Sequence, residues 1–516
     1  MPSFDALVIG GGTNGLAAAG RLAAAGRSVL VLEASPILGG GARTVEFAPG
    51  YRTSAVAHLL NLLDPRVEAG LDLARHGLAF SAVDLATTGL SATGDHLRLD
   101  GAAGARLSAT PDAAAWAELR ARLLRYAGAL RPFRDLAPPR LARGAGNDTA
   151  KLALLGLKLR AMGRDDLRDF LRVLLTNVAD VLDDELTDER LKGVLAHDAV
   201  LGAWMGPRSP NSLLLLVNRL AGEAAGQPSG LALPRGGMGA VAEAMGRAVQ
   251  ARGVTIRTGA RVRAIEVAND KAMGVTLDDG ELILARTLVS AINPRTTFLD
   301  LVGPRHLDTG FVRRVQAIRM RGTAAKLHLA LTGAPDFRGA DLRTRLVIAP
   351  SARAVEDAFN PVKYNRWSDA PVMEIVLPSA FEDGFAPPGH HVLSAIVQFA
   401  PTAPAGGWEA QRAPFLARIL ATLETHAPGL GALVAHADLV TPADLESRYG
   451  MIGGNWHHGE LAVERMLFLR PTIGAAQYAS PLPNLWLAGA GCHPGGGISG
   501  AAGWNAAGRI LEARNG

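Results

Sequence analysis

The chain has 516 residues, 48% hydrophobic and 20% charged, a globular composition long enough for two to four domains and unlike a disordered chain. A net charge of +5 on arginines and a few lysines spread along the chain, with only 5% aromatics, lacks the basic stripe of a nucleic-acid binder. A single cysteine, Cys492, excludes an internal disulfide, a CxxC redox pair and a multi-cysteine zinc site. No metal site is expected.

The first segment, Phe4 to Gly10, reads as an apolar strand with no basic leader before it and no cleavage signal after it. No run approaches the ~18–20 apolar residues of a membrane span. The expectation is a cytoplasmic chain. A helix from about Thr13 to Ala25, closed by Gly26, leads into a second apolar strand, Ser28 to Glu33. Two uniformly apolar strands around one helix predict a parallel sheet covered on both faces.

Between strand and helix stands Gly10-x-Gly12-x-x-Gly15. The first glycine makes the turn, a diphosphate passes over the second, and the third lets helix and strand approach. Free N–H groups and the dipole at the helix start favour the negative charge. Glu33 closes the second strand about 20 residues on, where a ribose hydroxyl needs a carboxylate acceptor. Strand, glycines, helix, strand and acid in this order predict dinucleotide binding.

From Ala113 to Ala225 the chain reads as mainly helical, broken by a loop over Ala137 to Thr149. Leu167, Phe170, Leu171, Leu174, Leu175, Val178 and Leu182 recur at helical spacing. Lys151, Lys158, Arg160, Arg164, Arg168 and Arg172 punctuate the same leucine-rich stretch. That pattern fits either a solvated face or a helix lying on an anionic bilayer, so peripheral membrane contact is one expectation. Strands return over Val254 to Ala291, turning at Asp278-Asp279-Gly280, then at Lys326–Leu331, Val372–Leu377 and His391–Phe399. A strand over Asn484–Gly489 and a helix over Ser499–Arg514 close the chain.

Two further glycine-rich segments favour FAD over a nicotinamide. Gly39-Gly40-Gly41-Ala42-Arg43-Thr44 follows Glu33, and Gly489 to Gly500, with Gly496, Gly497 and Ile498, runs into the last helix. A long cofactor with a bulky ring has use for the second element, because N–H groups at a helix start stabilise charge on a reduced flavin.

The fingerprint, the GG…RT segment and the terminal LWLAGAGCHPGGGISGAAGWNAAGRIL resemble the phytoene-desaturase-like branch of FAD-dependent oxidoreductases. YRTSAVAHLLNLLDPRV, LPRGGMGAV and GGNWHHGELAVERMLFLRP are similar to a subgroup that carries a disulfide-oxidoreductase name. The resemblance implies an α/β fold of the glutathione-reductase type. Its Rossmann-like FAD domain is assembled from residues 1–80, 231–300 and 479–516. Residues 81–230 and 301–478 then form an α+β substrate domain with a mixed or antiparallel sheet and a helical cap. Val262 matches the position whose backbone meets the adenine, and Arg43 and Thr44 match the segment along the diphosphate and ribityl chain. FAD is expected to be non-covalent, since no attachment motif is recognised.

Disulfide reduction needs two thiols, and Cys492 is alone. Nor does a second strand–GxGxxG–helix unit follow. Gly236-Gly237-Met238-Gly239 precedes a helix but reads as packing. What the resemblance implies instead is hydride transfer from a substrate carbon to the flavin, on a hydrophobic isoprenoid or polyene, with O2 or a quinone as final acceptor. Desaturation, isomerisation and saturation stay open. His458, beside His457 in GGNWHHGE, and His493, in the terminal glycine loop, are the candidate acid–base groups. Glu460 is expected to pair with Arg465 or Arg470. A non-catalytic escort protein of the same architecture and an amine-oxidase-type enzyme are the alternatives, though no decisive substrate-carboxylate clamp is evident.

Overall fold

The computed structural model describes residues 4–139 and 146–514. Its first layer is a five-stranded parallel sheet in the order Thr255–Arg257, Val29–Leu32, Ala6–Ile9, Leu288–Ser290, Leu485–Leu487. These strands come from three separated stretches of sequence. The two strands that open the chain are buried at every position, as a sheet covered on both faces requires. The helix Thr13–Ala24 lies against Gly239–Gln250 and Ala501–Arg514. Gly503 permits the last contact, because a Cβ there would collide with the Asn14 carbonyl. A three-stranded antiparallel meander, Val262–Ala268, Lys271–Leu277 and Leu282–Leu284, stands beside the sheet.

The second layer is an eight-stranded mixed sheet. Its order is Val434–Val440, Ala324–Leu331, His391–Gln398, Met373–Val376, Arg345–Ile348, Thr87–Gly89, Leu97–Asp100, Arg106–Leu107. All its pairs are antiparallel except Arg345–Ile348 with Thr87–Gly89. Leu327, Leu329, Ile375 and Leu393 pack under the helix Gly407–His426 through Phe415, Ile419 and Leu423. Leu97, Leu99 and Val347 belong to a second core with the helices Ala113–Arg134, Glu189–Val200 and Ser212–Leu220. The central strands are therefore apolar on both faces, and any charge within them is buried.

Two expectations for the helical region change. Residues 140–145 of the predicted loop lie outside the described residues, and the helix Gly146–Arg160 already includes Thr149. Asp148 in its first turn favours that earlier start. The leucine stripe is also not one helix. Arg164–Val173 ends and Val178–Glu185 restarts at Asn177, whose side chain accepts from the Asp180 N–H. Phe170, Val178 and Leu182 are buried, whereas Leu171 and Leu175 are 52% and 68% exposed.

Candidate functional site

Between the layers runs one cavity of about 730 Å³, bounded by both sheets, the cap and the terminal glycine loop. Of the residues singled out in the sequence, Gly10, Gly12, Glu33, Gly40, Arg43, Val262, His458, Gly496, Gly497 and Ile498 line it. Gly15, Thr44, Gly489 and His493 do not.

The end beneath the first helix is formed by backbone. Gly10 has φ +103°, a conformation that favours glycine. A Cβ on Gly15 would strike the Gly10 carbonyl, so the third glycine serves the turn itself rather than a ligand. Gly12 differs: a Cβ there would meet no protein atom nearer than 3.9 Å, and it would fill the cavity instead. Gly12 caps the helix without a side-chain hydrogen bond, leaving its first N–H groups open. Gly11 N–H donates to Glu33 Oε2 at 2.7 Å and Ser35 N–H donates to Oε1 at 2.8 Å. Oε2, with one donor, keeps a lone pair for a hydroxyl. Arg43 Nη2 stands 3.4 Å from Glu33 Oε1, and its Nε is buried without a partner. Asn14 Oδ1, on the same cavity wall, is orphaned too. An open helix start, a cradle that a side chain would block, and unpaired polar atoms fit a dinucleotide diphosphate and its ribose.

Thr44 and Gly489 have structural duties. Thr44 Oγ1 donates to the Gly236 carbonyl at 2.8 Å and accepts from Gly239 N–H at 3.0 Å, tying the GGMG loop to the first segment. Gly489 packs against the carbonyls of Ala291 and Ile292.

The terminal glycine loop meets the GGNWHHGE loop across Arg470. This buried guanidinium donates to the carbonyls of His457 at 2.5 Å and Ala490 at 2.9 Å. Burial pushes its pKa down to about 10. Glu460 pairs with Arg321 at 2.6 Å and Arg319 at 3.3 Å, not with Arg465 or Arg470, whose guanidinium is occupied by carbonyls. His457 is pushed down to about 3 and His458 to about 4, by burial first and then by the Arg470 charge. Both are neutral at pH 7, and neither is a general acid there. His493 is a strut: its Nε2 lies 2.6 Å from the Phe133 carbonyl, and burial pushes it to about 4. Ile498, at the cavity, holds φ +54°, a strained conformation for a β-branched residue and of the kind found at ligand sites.

The other end of the cavity carries a cluster that the sequence reading passed over. His58 Nδ1 lies 2.7 Å from Lys326 Nζ and its Nε2 lies 3.0 Å from Glu374 Oε1. Arg345 Nε donates to Glu374 Oε2 at 2.7 Å, and its two terminal nitrogens donate to Asp198. Burial, then the Lys326 charge, push His58 to about 4, so the neutral ring accepts from Lys326 and donates to Glu374. Burial also carries Lys326 well below its ordinary value. Burial would raise Glu374, but Arg345 and His58 outweigh it and hold it well below the carboxylate range. His197, Asp198 and Glu374 offer ligand atoms within 4.8 Å of one another, yet the cation between the two carboxylates is the Arg345 guanidinium. One signal was legible: Lys326, Arg345 and Glu374 each interrupt an apolar strand, where a charge has no solvent face and needs a partner.

Residues 15–511 match the family model described as flavin containing amine oxidoreductase. A mouse (Mus musculus) protein named pyridine nucleotide-disulfide oxidoreductase domain-containing protein 2 is 33% identical over 98% of this chain and 93% of its own length. A neurosporene-forming phytoene desaturase from Cereibacter sphaeroides is 28% identical over 61% of this chain and 59% of its own. Cyclohexylamine oxidase from Brevibacterium oxydans has a similar fold, with a TM-score of 0.59, 18% identity and full coverage of both chains.

Proposed function

The chain belongs to the flavin containing amine oxidoreductase family, and from that premise we propose that it dehydrogenates a C–C bond of a largely apolar small molecule. FAD is the cofactor, held through Gly12, Glu33, Arg43, Val262 and the Gly496–Ile498 turn. When bound, it supplies the two-electron acceptor. The substrate loses a hydride and a proton and gains a double bond, and O2 or a quinone then takes the electrons. One observation carries the reading: the dinucleotide cradle opens without interruption into a chamber lined by Leu62, Leu201, Leu215, Leu231, Ile396 and Trp456. These side chains hold an apolar body and exclude water, so that orientation does the protein's share of the work. With pKa values pushed down to about 3 and 4, His457 and His458 are weak bases, and the substrate proton passes to solvent rather than to an imidazole. Cys492 is buried and its thiol is pushed up to about 12, which supports the absence of thiolate chemistry.

Anaerobic titration of the bound flavin with polyenes, isoprenoids and amines tests the proposal. Bleaching by members of the first two groups is expected. Bleaching by amines alone would make the chain an amine oxidase, and bound FAD that nothing bleaches would favour the escort reading.

Among the described residues no helix is long and apolar enough to cross a membrane. We propose peripheral contact instead. Leu154, Leu157, Leu171 and Leu175 are 52–68% exposed on the helices beside Lys158, Arg160, Arg164, Arg168 and Arg172. Exposed leucines on a stretch where these five cations outnumber Asp165, Asp166 and Asp169 suit an anionic bilayer surface, from which an apolar substrate can be taken. Sedimentation with phosphatidylglycerol vesicles but not with phosphatidylcholine vesicles is expected, and its loss when the four leucines become serine. Equal recovery of wild type and variant would refute the contact.

A further inference from the structure

In the chamber wall the carboxylates are closely paired with cations, and one cation is paired only loosely. Both oxygens of Glu374 are engaged, one by His58 at 3.0 Å and one by Arg345 at 2.7 Å. Both oxygens of Asp198 accept from Arg345. Arg219, from the helix Ser212–Leu220, lines the same chamber with five N–H donors. Its one carboxylate neighbour is Asp198 Oδ1 at 3.5 Å, an oxygen already held by Arg345. Among the described residues that ion pair is the one polar contact of the Arg219 side chain. The amides of Asn61 and Asn218 line the cavity beside it, and no described side chain bonds to them.

We infer that Arg219 binds an anionic oxygen group, a carboxylate or phosphate, on the substrate's otherwise apolar body. The inference rests on the dehydrogenase reading above and narrows its substrate from a plain hydrocarbon to an apolar acid. The chemistry of the wall decides the sign. A hydrocarbon leaves the guanidinium with its long contact to Asp198 alone and most of its N–H donors unmet in an apolar chamber, which costs free energy. An ammonium group would find the Asp198 and Glu374 carboxylates already neutralised by Arg345, and it would face Arg219 directly. An oxyanion meets the planar fork with two charge-assisted bonds, and the Asp198 contact it competes with is a long one at 3.5 Å. Arg219 therefore supplies the clamp that the sequence alone did not reveal.

The test is calorimetric titration of the FAD-loaded protein with decanoate, decyl phosphate, decanol and decylamine. At least one of the two anions should bind tenfold or more tighter than decanol and decylamine, and which anion is tighter identifies the oxyanion. Arg219→Gln should weaken the preferred anion at least tenfold and leave decanol within twofold. Arg219→Lys, which keeps the charge and loses the fork, should fall between them. No binding of either anion, equal binding of decanol, or an unchanged anion constant in Arg219→Gln would overturn the inference. If Arg219→Gln does not fold, the ranking of the four ligands on the wild type decides. A protein that takes up no FAD defeats the flavoenzyme reading instead, and the same titration of that protein still reports the anion preference.

Discussion

At the glycine-rich end of the cavity, the ligand's space is made by side chains that are missing, and the polar groups offered to it are mostly backbone N–H groups, with Glu33, Arg43 and Asn14 beside them. At the chamber end the space is walled by side chains, and the polar groups are Lys326, His58, Glu374, Arg345, Asp198 and Arg219, drawn from six elements of the chain. A backbone site tolerates little because any Cβ occupies ligand volume. A side-chain site tolerates little for a different reason, since each charge is balanced by a neighbour that its removal would strand. The first construction should fail in affinity with the fold intact, and the second should fail in the fold itself.

The largest expected effect tests the second half of that contrast. Arg345→Met leaves Asp198 and Glu374 as neighbouring buried carboxylates, and a lost partner of this kind costs about 3–5 kcal/mol. Urea unfolding of the holoprotein should show that loss. Combining it with Asp198→Asn and Glu374→Gln should recover part of it, because the stranded charges are gone. A single substitution costing under about 1 kcal/mol would mean that water reaches the cluster.

The first half is sharpened at Gly12. Its φ of −73° suits any residue, and no protein atom lies within 3.9 Å of an added Cβ. Gly12→Ala should therefore keep the unfolding midpoint of the FAD-free protein and yet weaken FAD by about 100-fold, near 2.7 kcal/mol. Unchanged FAD affinity would place the diphosphate away from this helix start.

The same difference explains what the sequence disclosed. Gly10-x-Gly12-x-x-Gly15, the two flanking strands and Glu33 are close in sequence, because a βαβ turn is a local object and its glycines have local reasons. The chamber is a tertiary object. Nothing in the spacing of His58, Lys326 and Glu374 announces that two strands and a loop bring them within hydrogen-bond reach. Their only sequence trace is polarity inside apolar runs. His493 shows the converse error. It sits in the most specific motif of the chain, but its ring is bonded to the end of the helix Ala113–Arg134, a contact that no local pattern encodes. Asn177 was readable as an N-cap, and reading it so would have split the leucine stripe where the structure does.

A smaller effect concerns proton balance in the chamber wall. His197 is fully buried with both ring nitrogens unpaired, and its pKa falls from 6.5 to about 4, through burial first and the Arg345 charge second. Between those values the unfolded chain holds a proton that the folded chain refuses. Stability therefore falls as pH drops from 6.5 toward 4, by about 1.4 kcal/mol per pH unit for this one group. His197→Met removes two unpaired nitrogens and should make that slope shallower by roughly one proton, measured as urea midpoints at pH 7, 6 and 5. An unchanged slope would show that the ring is already paired with water or charged when folded.

The smallest effect is expected where the glycine-rich end carries its one reactive side chain. Cys492 lies in the terminal loop four residues before Gly496, but it is 2% exposed and does not line the cavity. Burial pushes the thiol up to about 12, with the nearby Arg470 charge pulling weakly the other way, so the group is a neutral thiol at pH 7. Cys492→Ser is close in volume and should leave FAD content and spectrum unchanged. It should slow flavin reduction by less than about tenfold, or 1.4 kcal/mol of barrier. Gly496→Val is the internal contrast: a Cβ there already comes within 2.9 Å of His457 Nδ1 and 3.3 Å of the Trp456 carbonyl, so the larger side chain must enter the cavity or push the two loops apart. That variant should lose FAD. If Cys492→Ser instead abolished flavin reduction with FAD still bound, a thiol would be carrying the chemistry at an end built mainly from backbone, and the hydride mechanism would fall with the comparison.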